Sequence, residues 1–292
     1  MGIMQGKTGI IYGVRNERSL CWGCAKSLYR EGANLVLTFL GDREEKDVRK
    51  LAATLGPGSD DRGQRTAAGS STDVSEADDR VDLSNPDTPL KPLVVACDLT
   101  NPEQVAQLHT VVAEKFKRLD FVIHGAAFAN KEDLAGRFVD TSRDGYLKAL
   151  EISSYTLTVA ARAAEPLMIE GGSILTLTYL GSEKVVPNYN LMGVAKAALE
   201  SSVRYLASDL GQQKIRVNAI SAGPTMTLSA RGVSGFTDMY RNVPAKAPLR
   251  RNTTIDEVGD TAAFLASDWS RGITGEIIYV DNGLHILAGG ID

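Results

Sequence analysis

Short runs rich in Val, Ile, Leu and Phe recur along the chain, and between them the apolar residues fall at helical spacing. That alternation leaves few folds open. Strands covered on both faces read as continuous apolar runs, and parallel neighbours need a helical crossover between them. The pattern predicts strands at Thr8–Tyr12, Asn34–Phe39, Leu93–Cys97, Phe121–His124, Ser173–Leu177, Arg216–Ile220 and Ile277–Val280. It predicts helices at Leu20–Arg30, Arg43–Leu55 and Pro102–Phe116, a long one ending near Ile169, one from about Asn190 to Leu210, and Ile255–Ala266. Crossovers between parallel strands are right-handed, so the expected fold class is α/β: a doubly wound parallel sheet of seven strands with helices on both faces. The 292 residues are read as a single domain, 1–292, with no internal repeat.

One stretch breaks the rhythm. Residues 57–91 are rich in Gly, Ser, Asp and Pro, and bury too little apolar surface to offset the entropy of ordering them. They are read as a flexible insertion between the second helix and the third strand. The formal net charge of −4 argues against a nucleic-acid or membrane-surface binder, which would need excess Lys and Arg. No apolar run reaches the roughly 18 residues of a membrane span. The first residues, Met1–Lys7, lack the blocks of a secretory signal, so a cytoplasmic location is expected. Cys21 and Cys24 form a C-x-x-C, but the only other cysteine, Cys97, stands alone; both are read as core residues of the first helix rather than metal or redox ligands. His109, His124 and His285 form no ligand pair, so no metal site is expected; His109 and His285 read as structural, and His124, at a strand edge, as a residue that touches cofactor backbone.

The first strand runs into Gly13, and Ser19 then opens a helix. A glycine there lets the backbone approach a pyrophosphate, and the helix start offers free N–H groups and the positive end of its dipole. Ser19 is placed as an N-cap that also reaches phosphate oxygen. Gly23, one turn in, would permit close packing of helix on sheet. The full G-x-G-x-x-G is absent. Asp98 ends the third strand, where it either accepts from an adenine amino group or caps the next helix. Gly125, Ala126 and Ala127 follow the fourth strand and leave room for a ribose and nicotinamide. All lie at the carboxyl edge, where open α/β sheets bind ligands. At the tip of the second strand Leu40 supplies neither cation nor carboxylate, Asp42 would repel a 2′-phosphate and Arg43 would attract one. The balance favours NADH and leaves NADPH open.

The segment from Thr178 to Lys196 begins at a strand end and turns into a helix. Tyr189 and Lys196 are seven residues apart, two helical turns, and so share a face. A phenol of ordinary pKa, about 10, is a reluctant proton donor at neutral pH, and a nearby ammonium makes it a stronger acid. Lys196 is also placed to hold ribose hydroxyls. An amphipathic face with no chemistry is the alternative for this pair taken alone.

In ordinary short-chain dehydrogenases a tyrosine precedes the lysine by four residues; Met192 stands there. The spacing Tyr-x6-Lys, with Tyr179 ten residues before Tyr189, resembles the enoyl-acyl-carrier-protein reductases of bacterial fatty-acid synthesis. Ile152–Tyr155, Leu175–Gly181, Pro187–Asn190, Arg216–Pro224, Val280–Gly283 and Gly13 with Ser19-Leu20 are similar too, so the likeness spans all but 57–91. It implies a Rossmann-type reductase in which Tyr189 donates to a thioester carbonyl, Lys196 binds ribose and Tyr179 lines the acyl pocket. It implies that Gly13, Ser19, Leu20, Leu40, Asp98, Leu99, Ala126, Thr225, Met226, Thr227, Leu228 and Ser229 contact NADH or NADPH, and that Ala129 touches the acyl group. Acyl carrier protein as partner, a homotetramer and an interface near His285–Asp292 are further implications. Residues from Thr225 to Pro248, about 225–248, would form a lid whose Met226, Leu228, Phe236 and Met239 face the acyl chain. Ala127 and Met226 depart from the family's usual residues. A ketoreductase or alcohol dehydrogenase on the same fold, and a non-catalytic dinucleotide binder, are the competing readings.

Overall fold

The computed structural model describes residues 2–56 and 89–288. The expected insertion therefore lies outside the described residues apart from its last three positions, as do the final four residues of the carboxyl-terminal segment. The strands are β1 (Thr8–Tyr12), β2 (Asn34–Phe39), β3 (Leu93–Ala96), β4 (Phe121–His124), β5 (Gly172–Thr178), β6 (Ile215–Ala222) and β7 (Ile277–Val280). They pair in the order β3-β2-β1-β4-β5-β6-β7, parallel throughout. The helices are α1 (Leu20–Arg30), α2 (Asp42–Ala52), α3 (Pro102–Phe116), α4 (Arg143–Leu150), α5 (Thr156–Ala164), α6 (Asn190–Leu210), α7 (Phe236–Lys246) and α8 (Ile255–Ala266).

Alternation along each strand divides the core in two. Ile11, Leu35, Leu37 and Ile123 face one way, into a cluster closed by α1, α2 and α8. Ile10, Tyr12, Val36 and Val122 face the other way, into a cluster closed by α3, α5 and α6. The doubly wound α/β architecture expected from the sequence is therefore present. Helix ends follow their capping residues: Asn101 accepts from the N–H groups of Glu103 and Gln104 with Pro102 behind it, and Thr254 and Glu257 form a capping box.

Three elements depart from expectation. The long helix ending near Ile169 is broken: α4 gives way to a π-helical turn at Glu151–Tyr155 before α5 resumes. The extra residue in that turn carries Ser153 and Thr156 inward, where their hydroxyls hold the end of β4. Helix α2 stops at Ala52, with Thr54 Oγ1 folded back onto Leu51 O. Residues 236–246, read as part of the lid with no helix assigned, form α7 despite Pro244 in its interior.

Gly23 packs helix on helix, not helix on sheet. A Cβ there would lie 2.1 Å from Ile255 O, and one at Gly259 would lie 2.3 Å from Gly23 O. The two glycines let α1 and α8 touch backbone to backbone. Among the described residues no helix is long and apolar enough to cross a membrane.

Candidate active site

Two strand ends meet where side chains are excluded. Gly13 follows β1 with a φ of +94°, a left-handed value that glycine alone adopts freely. A Cβ on Gly13 would stand 2.8 Å from Gly125 O, and one on Gly125 would stand 2.1 Å from Cys21 Sγ. The two strand ends thus pack backbone against backbone, beside the first turn of α1. Ser19 caps that turn by accepting from Trp22 N–H, and Leu20 begins the helix. Bare glycine backbone facing a capped helix start fits the diphosphate of a dinucleotide, so Gly13, Ser19 and Leu20 could hold one.

The other cofactor candidates divide. Leu40 stands 60% exposed at the β2 tip. Asp98 does not cap α3, which is Asn101's role; its Oδ1 accepts from the N–H and the hydroxyl of Thr100. Leu99 buries its side chain in the second core cluster, so only its main chain can reach a ligand. Ala126 packs its half-buried methyl against the same cluster, and Ala129 is half-buried beyond it. Thr225, Met226 and Thr227 are half-buried after β6, whereas Leu228 and Ser229 are exposed.

The His124 ring is part of the core, with both its nitrogens committed to neighbouring side chains. It is fully buried, with Nε2 and Nδ1 each 2.9 Å from a hydroxyl, those of Thr156 and Thr176. Burial, helped by Lys196, drives its pKa down to about 3, so the ring is neutral. Thr156 Oγ1 already donates to Ile152 O and so accepts from Nε2. Ser153 Oγ bonds both N and O of Phe128 at 2.9 Å, pinning the strip that holds Ala126 and Ala127. Cys21, Cys24 and Cys97 are free and buried, as the core reading requires. Among the described residues no cluster of three or more His, Cys, Asp or Glu is arranged for a metal.

Tyr189 stands at the head of α6 as its N-cap residue, not inside the helix. Its neighbours Asn188 (φ +60°) and Asn190 (φ +24°) both take positive φ, which asparagine tolerates better than most residues. Asn188 Nδ2 donates to Ser234 O and Asn190 Nδ2 to Gly136 O, tying the turn to two loops. The ring needs glycine beneath it: a Cβ on Gly181 would lie 2.5 Å from the ring, and one on Gly193 would lie 2.6 Å from Gly181 O. Tyr179 meets it edge-on, with ring centroids 5.1 Å apart.

The sequence-based expectation that Lys196 acidifies Tyr189 is overturned. Burial pushes the Tyr189 phenol well above its ordinary range, and Tyr179 and Glu200 push the same way. Lys196 is buried and donates from Nζ to Leu177 O at 2.8 Å. Burial brings its pKa down to about 8, opposed by the charge of Glu200. Tyr189 is therefore a neutral O–H donor, and Lys196 an ammonium with two N–H groups to spare. Tyr179 is likewise pushed up, to about 12, by burial and by Asp281. Its hydroxyl lies 3.6 Å from Met239 Sδ on α7.

Sequence reasoning missed several residues of this constellation. Glu200 is buried one turn beyond Lys196 and accepts from Thr178 Oγ1 at 2.5 Å. Its signal was an acidic residue four places after a lysine on a buried helix face. Gly193 was visible as a glycine inside a helical pattern, which usually marks close packing. Ser153 lay in the family-like stretch Ile152–Tyr155, but nothing local in the sequence pointed to its bonds with Phe128.

With this geometry in hand, the chain's likeness to known proteins is specific. A family model described as enoyl-(acyl carrier protein) reductase matches residues 13–77 and 65–285. The enoyl-(acyl-carrier-protein) reductase (NADH) FabI of Bacillus cereus is 50% identical over 287 residues, covering 98% of this chain and 100% of that protein. The Bacillus subtilis protein of the same name is 48% identical over 285 residues, covering 98% of each. Among solved structures, the Bacillus cereus reductase with NADP+ and an indole naphthyridinone superposes with a TM-score of 0.86, covering 99% of this chain and 100% of that one. The Anaplasma phagocytophilum reductase in complex with NAD gives a TM-score of 0.83 at 45% identity, covering 99% and 97%.

Proposed function

The chain belongs to the enoyl-acyl-carrier-protein reductase family of the short-chain dehydrogenase/reductase superfamily, and from that premise we propose a role for each residue of its site. The enzyme reduces the trans-2 double bond of enoyl-acyl-carrier-protein thioesters in fatty-acid elongation, with NADH as coenzyme. When bound, the reduced nicotinamide supplies the hydride for the β-carbon of the thioester. Tyr189 donates its O–H to the thioester carbonyl oxygen. That bond strengthens as negative charge builds there, a contribution on the order of 10²–10³ in rate. Protonation at the α-carbon completes the reduction.

Lys196, with one proton held by Leu177 O, offers the other two to ribose hydroxyls. Tyr179 and Ala129 line the acyl pocket. Gly13, Ser19 and Leu20 receive the diphosphate; Leu40, Asp98, the main chain of Leu99, Ala126 and Thr225–Ser229 complete the coenzyme contacts. The observation that carries the reading is the placement of the Tyr189 phenol: seated over Gly181 and edge-on to Tyr179, at the head of the helix that carries Lys196. Met192, where a ketoreductase would carry its tyrosine, is buried, which favours the enoyl reaction.

We further propose that the chain works as one domain in the cytoplasm, as a homotetramer, on substrates delivered by acyl carrier protein. Leu147, Tyr155 and Tyr205 are exposed on the outer side of α4, the π turn and α6, and supply apolar area for self-association. His285 stacks on Tyr279 and Leu287 packs on the lid helix, so the described part of the carboxyl-terminal segment is tied to its own subunit. The lid at about 225–248 closes over the acyl chain through Met239 and Phe236. Steady-state rates with crotonyl and acetoacetyl thioesters, each with NADH and NADPH, test the assignment. Crotonyl reduction should dominate; faster turnover of the acetoacetyl substrate would sink it.

A further inference from the structure

The β2 tip holds a charged pair, one partner from the loop after β1 and the other from the first turn of α2. Leu40, the residue after the strand, offers neither a carboxylate nor a cation. Glu44, in the first turn of α2, reaches back over it: Oε2 accepts from Leu40 N–H at 3.2 Å, and Oε1 lies 2.8 Å from Arg15 Nε. Its side chain is 17% exposed, against 49% for that of Arg15. Glu45, its neighbour in that turn, is committed to Arg49 along the helix. Arg15 stands two residues beyond Gly13, in the loop that leads to the start of α1. The pair therefore bridges the glycine loop and the β2 tip.

In doubly wound dinucleotide folds this corner decides the coenzyme: a carboxylate there accepts from the adenosine ribose 2′-hydroxyl, and an arginine there receives a 2′-phosphate. We propose that Glu44 and Arg15 together select NADH over NADPH, Glu44 supplying the carboxylate that Leu40 lacks and holding Arg15 away from a 2′-phosphate. An ionised carboxylate has about four lone-pair sites. One contact to Leu40 and one to Arg15 leave capacity for ribose hydroxyls. A 2′-phosphate would meet that carboxylate's charge, and the Arg15 guanidinium, which could neutralise it, is already paired. Asp42 and Arg43, at the start of the same helix, stay constant when only Glu44 and Arg15 are varied.

The inference rests on the coenzyme reading above and is tested by binding, apart from turnover. Dissociation constants for NADH and for NADPH are measured from the fluorescence of the bound dihydronicotinamide, on the full-length wild type, Glu44→Gln, Arg15→Ala and the double variant. Glu44→Gln frees Arg15 while keeping the side chain's shape, and should move the NADPH-to-NADH preference toward NADPH by about tenfold or more. Arg15→Ala alone leaves an unneutralised carboxylate and should move it the other way. The double variant should lose the gain of Glu44→Gln. A preference that stays within about twofold in Glu44→Gln, or a gain that survives removal of Arg15, overturns the proposal. Failure of the wild type to bind either coenzyme would instead overturn the coenzyme reading itself.

Discussion

The corner where β1, α1 and α8 meet and the lid over Tyr179 achieve shape by opposite means. In the corner, Gly13, Gly23, Gly125 and Gly259 bring backbone against backbone, and an added methyl at any of them would strike main chain or a buried sulfur. In the lid, α7 buries only Phe236 and Val243, and reaches the site through a long sulfur–hydroxyl contact, Met239 to Tyr179. Absent side chains fix a surface for the invariant part of the reaction, the coenzyme. Few and soft contacts suit the variable part, an acyl chain. Close-packed regions feel a single added methyl, whereas methionine surfaces repack cheaply.

Substitutions can break that contrast. The largest effect is expected at Tyr189, which bridges the two regions: Tyr189→Phe should lower kcat on crotonyl thioester by about 10²–10³-fold while NADH affinity changes only a few-fold. Gly13→Ala, at φ +94° and 2.8 Å from Gly125 O, should cost about 1–3 kcal/mol in urea unfolding and weaken NADH binding together. If the coenzyme still binds normally, the backbone-against-backbone account of the corner is wrong. Met239→Ala, in the lid, should raise KM for a long-chain enoyl substrate only a few-fold and leave the unfolding midpoint nearly unchanged. A large loss of stability there would show that the lid is packed like the corner.

Lys196 sharpens the comparison through pH. Its pKa is lowered to about 8 by burial, so the ammonium is present at neutral pH and is lost as pH rises through that value. NADH affinity, measured as a function of pH, should therefore weaken on the alkaline side. Glu200 raises the lysine's pKa, so Glu200→Gln should move that weakening to lower pH by roughly one unit. A shift in the other direction would remove Glu200 from this role.

The sheet was legible in the sequence because its cause is local: β1, β2, β4 and β7 keep the bounds that apolar runs and flanking glycines predicted. So was the placement of Tyr189, Lys196, Gly13 and Ser19 at the carboxyl edge. What stayed hidden depends on partners distant in the chain. The π turn exists because Ser153 and Thr156 find Phe128 and His124, and helical periodicity carries no trace of that. Gly23 meets Gly259, a neighbour across α8 that spacing does not reveal. Helix α7 was masked by Pro244 and a mixed polar sequence. The acidity of Tyr189 was misjudged for a related reason: an ammonium two turns away was weighed, and burial and the charges of Tyr179 and Glu200, which push the phenol up, were not.

Everything at the catalytic end follows from a phenol that keeps its proton. Selective 13C labelling of tyrosine ring carbons, with Tyr189→Phe to identify the resonance, would follow that proton directly by NMR across a pH titration. The Tyr189 carbon should hold its protonated shift through the ordinary phenol value of 10.0, after exposed tyrosines have begun to move. A Tyr189 resonance that titrates near neutral pH would make the side chain an acid activated by Lys196 and contradict the account.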